Sequence, residues 1–304
     1  MLGNKMQALL DTAKHYPSIP VAVVDAGESH ILQGIIEAEQ AGLVEPILIG
    51  QPDRIHNVAN KLGIDLANKE IIPANSDIEA SEIGIDLIKK NKACALAKGW
   101  LHTDTLMHAV LKGLHITQRI SHVFIAELPS YPKLLFITDA AINIQPDLAT
   151  KAVIIQNAVN LARLMGIDRP KVAVLSSVEV VKPAIQSTID AACLSVMAKR
   201  GQIQHAIVDG PLAFDNAISL EAAQIKEINS AVAGDVDILL APDIDAANIL
   251  AKELEYLAKA TMAGIVVGAQ VPIMLSSRSD PAEARLLSAA LAVLMHYQWD
   301  KISI

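Results

Sequence analysis

Short apolar runs alternate with amphipathic stretches of about ten residues through the first third of the chain. The apolar runs are typical of buried strands, and the amphipathic stretches have the 3.6-residue period of helices. In chain order, the pattern predicts a strand over 20–25, a helix over 29–42, a strand over 46–50, a helix over 52–62, a strand over 70–72, a helix over 77–90, a strand over 94–97 and a helix over 103–112. This alternation is typical of βαβ crossovers and predicts a mainly parallel sheet.

The alternation continues on both sides of a break at Pro129-Ser-Tyr-Pro132. The predicted strands cover 121–128, 134–138, 171–175, 205–208, 237–240 and 264–267, and the predicted helices cover 147–165, 181–199, 219–229 and 245–259. Pro183 suits the first turn of the helix over 181–199. Strands after the break are expected to end in polar turns, among them Asp209-Gly210-Pro211. Polar groups gathered at one sheet edge would line a cleft.

The last strand and helix meet in the stretch 271–288. An apolar run ends at Leu275 and is followed by the polar turn Ser276-Ser-Arg-Ser279. Asp280 is a good helix N-cap, Pro281 suits the first helical position, and Glu283 completes a capping-box pattern. The turn therefore lies between the carboxyl end of a strand and the amino end of a helix, where α/β folds bind anions. Arg278 suits a phosphate oxygen there.

Composition narrows the class of protein. The 304 residues are 52% hydrophobic but only 3% aromatic, so the core is expected to consist of Ala, Val, Ile and Leu. A net charge of -8 argues against nucleic acid or an anionic membrane as the main partner. Apolar runs fall short of the ~18 residues that span a bilayer. Cys94 and Cys193 lack metal-site spacing and indicate a reducing, cytoplasmic location.

Several stretches, taken together and in this order, resemble the phosphate acetyl/butyryl transferase family. They are Lys98-Gly99 with Thr103, Ile137-Thr-Asp-Ala-Ala-Ile-Asn-Ile144 with Pro146-Asp147, Val172-Ala-Val-Leu-Ser-Ser-Val-Glu179, Gly201-Gln202-Ile203, Asp209-Gly-Pro-Leu-Ala-Phe-Asp215, Ala233-Gly-Asp-Val-Asp-Ile-Leu-Leu-Ala-Pro-Asp243, Asn248 and Ser276-Ser-Arg278. The residues of Asp209-Gly-Pro-Leu-Ala and of the final motif resemble the butyryl branch of the family more than the acetyl branch.

The resemblance implies an α/β fold of two three-layer αβα domains with mainly parallel sheets, similar to isocitrate and isopropylmalate dehydrogenases. The active-site cleft would lie between the domains. We expect a discontinuous first domain of 1–128 plus 271–304 and an inserted second domain of 129–270. The family commonly forms homodimers or larger homo-oligomers.

The implied reaction is reversible transfer of a short-chain acyl group between coenzyme A and inorganic phosphate, with butyryl favoured over acetyl. A phosphate oxygen attacks the thioester directly in a ternary complex, with no metal, no redox cofactor and no tightly bound cofactor. The partners are acyl-CoA and phosphate. By resemblance, Ser277 supports the thiolate or oxyanion, and Arg278 binds phosphate or the transition-state charge.

The identity of the general base, which takes the proton from phosphate, stays open. The acetyl branch has a carboxylate seven residues after the serine, where this chain has Ala284. Glu283 and Asp280 are the candidates, and a capping box is the other explanation for both.

Further residues are candidates for substrate binding. Arg119, by resemblance, helps to hold phosphate, and strand-end turns supply further donors for phosphate or the carbonyl group. The remaining candidates are Lys98, Thr103, Asn143, Ser276, Asp209 and Asn248. For Asp209 the alternative is a role in organising its turn, and for Asn248 it is helix capping.

Two other functions fit a similar fold. One is a non-catalytic paralogue that binds acyl-CoA, which the missing carboxylate at Ala284 would explain. The other is a metal- and NAD-dependent hydroxy-acid dehydrogenase, which would need clustered aspartates and a dinucleotide signature.

Overall fold

The structure, a computed structural model, describes residues 3–114, 119–276 and 280–302, apart from the side chain of Asp300. Its helices are α1 (Asn4–Ala13), α2 (Ser29–Gln40), α3 (Pro52–Leu62), α4 (Asp77–Lys89), α5 (Thr103–Gly113), α6 (Leu148–Leu164), α7 (Gln186–Lys199), α8 (Phe214–Ile218), α9 (Leu220–Ile225), α10 (Ile244–Tyr256) and α11 (Ala282–Ile302). Its strands are β1 (Ile19–Val24), β2 (Val44–Gly50), β3 (Glu70–Pro73), β4 (Ala95–Lys98), β5 (Ser121–Glu127), β6 (Leu134–Thr138), β7 (Lys171–Leu175), β8 (Ile207–Leu212), β9 (Ile238–Leu240), β10 (Thr261–Val267) and β11 (Ile273–Met274).

The chain divides into two units. The first comprises the described residues of Met1–Thr117 and Ala263–Lys301. Its strands lie in the order β3-β2-β1-β4-β11-β10. Neighbouring strands from β3 to β11 are parallel, and β10 is antiparallel to β11. The central strands β1 and β4 are buried along almost their whole length, as expected for a parallel sheet covered on both faces.

The second unit comprises the described residues of Gln118–Met262 and the chain end from Ile302. Its strands lie in the order β5-β6-β9-β7-β8. Only β5 is antiparallel to its neighbour among these described strands. Its core is formed by aliphatic side chains from the strands and from α10, such as Leu135, Leu239 and Leu254, with Phe124 and Tyr131.

The predicted α/β class with mainly parallel sheets is confirmed. The domain bounds at 128/129 and 270/271 stay a prediction, as does the cleft between the domains. Within the described residues, no helix is both long enough and apolar enough to span a membrane.

Two predicted elements were wrong. The helix expected over 181–199 begins only at Gln186, so Pro183 is not in its first turn. The reason is a separate turn: Ile185 N donates to Lys182 O at 2.9 Å, and the Thr188 hydroxyl accepts from Lys182 N at 2.9 Å.

The strand expected over 205–208 is instead β8, so the expected polar turn at 209–211 lies inside a strand. A register shift between Ala173 and Leu175 of β7 lets the pairing continue to Leu212. The Asp209 carboxylate accepts from Gly210 N at 3.0 Å, which satisfies a backbone donor at this irregularity.

Candidate active site

In the first unit, three neighbouring parallel strands end at the same edge of the sheet. Asp25 follows β1, Lys98 is the last residue of β4, and Ser276 lies two residues after β11. The registers Val24 to Lys98 and Met274 to Ala97 bring these strand ends side by side. The edge therefore gathers a cation and a hydroxyl that the sequence analysis selected, with a buried aspartate beside them.

The turn after β4 approaches the end of β1 very closely. Gly99 N donates to Val24 O at 2.8 Å, and Trp100 N donates to Asp25 O at 2.9 Å. A Cβ atom on Gly99 would lie 2.0 Å from Asp25 O, so only glycine fits. This contact fixes the end of β4 and with it buried Lys98, whose Nζ lies 3.5 Å from Gly99 O.

Ser277 and Arg278, the two residues predicted to carry the chemistry, lie outside the described residues. They are flanked by Ser276 and Asp280, which are both buried. The backbone of Asp280 is held by Arg285, whose Nη1 donates to Asp280 O at 2.5 Å.

Arg285 was missed by the sequence analysis. It is 5% exposed on α11. Burial lowers the pKa of its guanidinium, while the charges of Asp280 and Glu28 raise it. An arginine within the apolar run 284–295 is the signal that could have identified it. Its role here is to tie the first turn of α11 to the backbone of Asp280.

The two candidate bases differ in their surroundings. Asp280 is buried and its charge acts on Arg285. Glu283 is half-buried in the first turn of α11, and Ala284 beside it is buried. Glu283 is thus the more accessible of the two carboxylates, and the role of either as base stays a prediction.

In the second unit, the carboxyl end of β6 and the amino end of β5 meet at one sheet edge, because the two strands are antiparallel. The loop after β6 is organised by Asp139. Its Oδ1 accepts from the backbone N atoms of Ala141 and Ile142, both at 3.0 Å. Its Oδ2 accepts from Asn143 N at 3.2 Å and from Asn143 Nδ2 at 2.6 Å.

Arg119, which precedes β5, lies beside this loop. Asn143 Nδ2 donates to Ile120 O at 2.9 Å, and Asn157 Nδ2 donates to Arg119 O at 3.0 Å. The Arg119 side chain is exposed. Hydrogen bonds from Thr150, and then the charge of Arg119, lower the pKa of Asp147, so Arg119 acts on this carboxylate at the start of α6.

The other predicted binding residues are spread over both units. Asn248 donates from Nδ2 to Ala140 O at 3.1 Å and so joins the loop after β6. Thr103 begins α5 in the first unit. Asp209 lies on β8, three places from β6 in the strand order, and is not brought together with Asn143. Their roles in substrate binding stay predictions.

Asp139 and Asn157 were also missed. Asp139 lies within a motif that the sequence analysis quoted, and an aspartate directly after a strand with an asparagine four residues later is a recognisable loop signal. Asn157 lies in the middle of α6 and bonds to residues 36 and 38 positions away, which no local pattern reveals. In the described parts of the chain, no three His, Cys, Asp or Glu side chains lie together as a metal site would require.

The sequence and the structure both match proteins of one known family. The sequence profile described as "Phosphate acetyl/butaryl transferase" matches residues 74–293. Phosphate acetyltransferase of Rickettsia typhi is 49% identical over 95% of this chain and 84% of its own length. Phosphate butyryltransferase of Clostridium beijerinckii is 40% identical over 97% of this chain and 98% of its own length.

A solved structure agrees with these relatives. The crystal structure of a branched-chain phosphotransacylase from Enterococcus faecalis V583 superposes with a TM-score of 0.78 at 30% identity, over 92% of this chain and 99% of that one. The profile match covers the strand ends from Lys98 to Ser276, and the end of β1 at Asp25 lies before it. The chain therefore belongs to the phosphate acetyl/butyryl transferase family and is an acyltransferase.

Proposed function

We propose that the protein catalyses the reversible reaction acyl-CoA + phosphate = acyl phosphate + CoA with short-chain acyl groups. The observation that carries the proposal is the pair of strand ends in the first unit. Lys98 and Ser276 end neighbouring parallel strands, and both belong to motifs of the family that matches this chain. Ser277 and Arg278 follow Ser276 directly in the sequence.

The chemistry requires two anions to be held together. A phosphate oxygen attacks the thioester carbonyl carbon, the new C–O bond forms, and the C–S bond breaks. The electron pair of that bond leaves on sulfur, and the proton lost by phosphate passes to a base. Cations lower the repulsion between the substrates, and a hydroxyl stabilises the developing oxyanion or thiolate.

We assign these roles as follows. Arg278, Lys98 and Arg119 supply positive charge, with Thr103, Ser276, Asp209 and Asn248 as further binding candidates. Asn143 is assigned no ligand, because its Nδ2 hydrogens are engaged by Asp139 and Ile120. Ser277 supports the oxyanion or thiolate. Glu283 is our first choice as base and Asp280 the second, because Asp280 is buried with its charge acting on Arg285. Coenzyme A enters as a substrate, and no tightly bound cofactor is needed.

Butyryl is our proposed acyl group, because the residues of Asp209-Gly-Pro-Leu-Ala and of the final motif are more similar to the butyryl branch of the family. Acetyl is the second candidate, because identity is 49% to the acetyltransferase and 40% to the butyryltransferase. The two extra methylenes of butyryl are each worth about 1–3 kcal/mol in a fitted pocket, so a butyryl site should give kcat/KM for butyryl-CoA at least about 30-fold above acetyl-CoA. A ratio below one replaces butyryl with acetyl.

The test follows free thiol release from acetyl-, propionyl- and butyryl-CoA, with and without phosphate, and traps the acyl phosphate as a hydroxamate. Thiol release that requires phosphate and yields acyl phosphate supports the proposal. Binding of acyl-CoA without turnover supports the non-catalytic paralogue instead.

Single substitutions test the named residues. Ser277→Ala and Arg278→Ala are each expected to lower kcat by about 100-fold or more, because each removes a donor from the transition state. Arg169→Ala, which removes an exposed arginine from a turn, is the control and should leave kcat unchanged. Full activity of either site variant, with an unchanged circular dichroism spectrum, removes that residue from the mechanism. A homo-oligomeric assembly and a cytoplasmic location remain predictions.

A further inference from the structure

The loop after β6 is built around one buried carboxylate. Asp139 is 3% exposed, and its two oxygens accept four hydrogen bonds from Ala141, Ile142 and Asn143. A turn of this kind at the surface needs one or two such bonds. Burial raises the pKa of Asp139, and its hydrogen bonds with Ala141, Asn143 and Ile142 oppose that effect. The fold therefore keeps this carboxylate buried although burial disfavours its charged form.

Asn143 passes the constraint from Asp139 to another segment. An amide nitrogen carries two hydrogens. Those of Asn143 Nδ2 face Asp139 Oδ2 at 2.6 Å and Ile120 O at 2.9 Å, so both are engaged inside the protein. In this geometry Asn143 joins two backbone segments instead of presenting its N–H groups to a ligand.

The segment that receives the constraint is the backbone at Arg119. Asn157, which is 1% exposed, donates from Nδ2 to Arg119 O at 3.0 Å and to Ser121 Oγ at 2.9 Å. The carbonyls of two successive residues, Arg119 and Ile120, are thus held by two separate buried or half-buried amides. The Arg119 side chain itself is exposed, so the structure fixes its backbone and leaves its guanidinium accessible.

We propose that Asp139 is a positioning residue for phosphate binding, which acts through Asn143 on the Ile120 carbonyl group and so on the backbone next to Arg119. The inference rests on the proposed function, because it takes Arg119 to be a ligand of the attacking phosphate. The expected effect is selective, because the loop orients one cation, Arg119, toward one substrate, phosphate. A loop that merely stabilises the second unit would affect both substrates equally, since it would change only the amount of folded enzyme.

The test is steady-state kinetics of Asp139→Asn with each substrate varied in turn. The substitution keeps the size of the side chain but places an NH2 group against the two donors of Asn143. Since misplacement by about 1 Å can cost up to about 100-fold, the KM for phosphate should rise by about 10-fold to 100-fold. The KM for acyl-CoA should stay within about twofold of wild type, because the network ends at the backbone of Ile120 and Arg119, and Arg119 is assigned to phosphate.

Asp237→Asn is the matched control. Asp237 is also a buried carboxylate of the second unit, and its Oδ2 accepts from Lys171 N at 2.8 Å. It precedes β9, at the opposite edge of the same sheet. This variant should lower the melting temperature without changing the KM for phosphate. If Asp139→Asn does not fold, Asn143→Ala, which keeps the backbone donors to Asp139, is expected to show the same selective rise.

A double variant tests the route through Arg119. Arg119→Ala combined with Asp139→Asn should have no higher KM for phosphate than Arg119→Ala alone, because Asp139 acts only through that residue. Additive effects overturn the inference, as does an unchanged KM for phosphate in Asp139→Asn or a rise confined to the KM for acyl-CoA. Wild-type enzyme without phosphate-dependent thiol release overturns the proposed function, and the inference with it.

Discussion

Both units join strand ends by backbone hydrogen bonds, but the second unit adds side-chain bonds in the loops that follow its strands. In the first unit, the turns after β1, β3 and β4 are fixed by backbone hydrogen bonds. Ala26 N donates to Ile49 O at 2.9 Å, Ala74 N donates to Gly50 O at 3.0 Å, and the donors after β4 reach the end of β1. These contacts require close approach of main chains, so the constraint on the sequence is steric.

In the second unit, Ala241 N donates to Thr138 O at 3.0 Å and Ser176 N donates to Leu212 O at 2.9 Å in the same way. The turns after β6 and β9 are held by side chains in addition. Asp139 accepts from the loop that follows it, Asn248 donates to Ala140 O, and Asp243 caps α10 by accepting from Ala246 N at 2.9 Å. The constraint here is chemical: a particular oxygen or amide has to be present. Substitutions that add volume should therefore damage the first edge, and substitutions that remove a hydrogen-bonding group should damage the second.

The largest effect is expected at Gly99. In Gly99→Ala, the new Cβ would lie 2.0 Å from Asp25 O and 2.3 Å from Val24 O, so the turn after β4 has to move away from β1. Overpacking against fixed backbone costs about 3 kcal/mol or more. The free energy of unfolding, measured by urea denaturation, should fall by that amount. Activity should fall as well, because Lys98 directly precedes the displaced residue.

Gly63→Ala separates this steric effect from loss of glycine freedom. Gly63 has φ 68° at the end of α3, and nothing lies within 4 Å of a Cβ placed on it. Only the left-handed backbone then matters, which costs about 1 kcal/mol. Equal losses in the two variants would contradict the claim that close approach governs the first edge.

Much of the fold could be predicted because hydrophobic period and turn residues are local signals. The predicted bounds of α3, β6 and β7 agree with the observed ones. One error has a local cause and the other a tertiary cause. The start of α7 is displaced by the bonds between Thr188 and Lys182, and β8 runs on through Asp209 because β7 changes register.

Part of the candidate site could also be predicted from local signals in the sequence. Lys98 and Ser276 could be selected because a strand pattern ends at or next to each of them, and the structure brings their strands together. Asp139 lay in a quoted motif, but its four donors depend on how the loop closes. Asn157 could not be selected from local pattern, since its partners come from a distant segment. Arg285 could have been noticed as an arginine in an apolar run, but its bond to Asp280 O depends on how the start of α11 folds.

A smaller effect is expected at Asn157, where the second edge depends on a buried amide. Asn157→Leu keeps the side-chain volume but removes the donor to Arg119 O and Ser121 Oγ. Leaving buried acceptors without a partner costs about 1–2 kcal/mol. Gln156→Leu, on the same helix but half-exposed, should cost less than about 0.5 kcal/mol because water can replace its hydrogen bonds. The comparison between the units fails if both variants unfold at the same urea concentration.

The smallest effect concerns pH. Hydrogen bonds from Lys171 and then Lys133 lower the pKa of Asp235, and their Nζ atoms lie 2.6 Å and 2.9 Å from its oxygens. A carboxylate with a lowered folded-state pKa stabilises the fold above its unfolded pKa, and this contribution is lost as the pH falls through the folded value. Below about pH 4, the melting temperature of wild type should therefore fall more steeply than that of Asp235→Asn. Because Asp235 is 55% exposed, the difference will be small and will shrink with salt. An acid slope of Asp235→Asn equal to that of wild type would overturn this prediction.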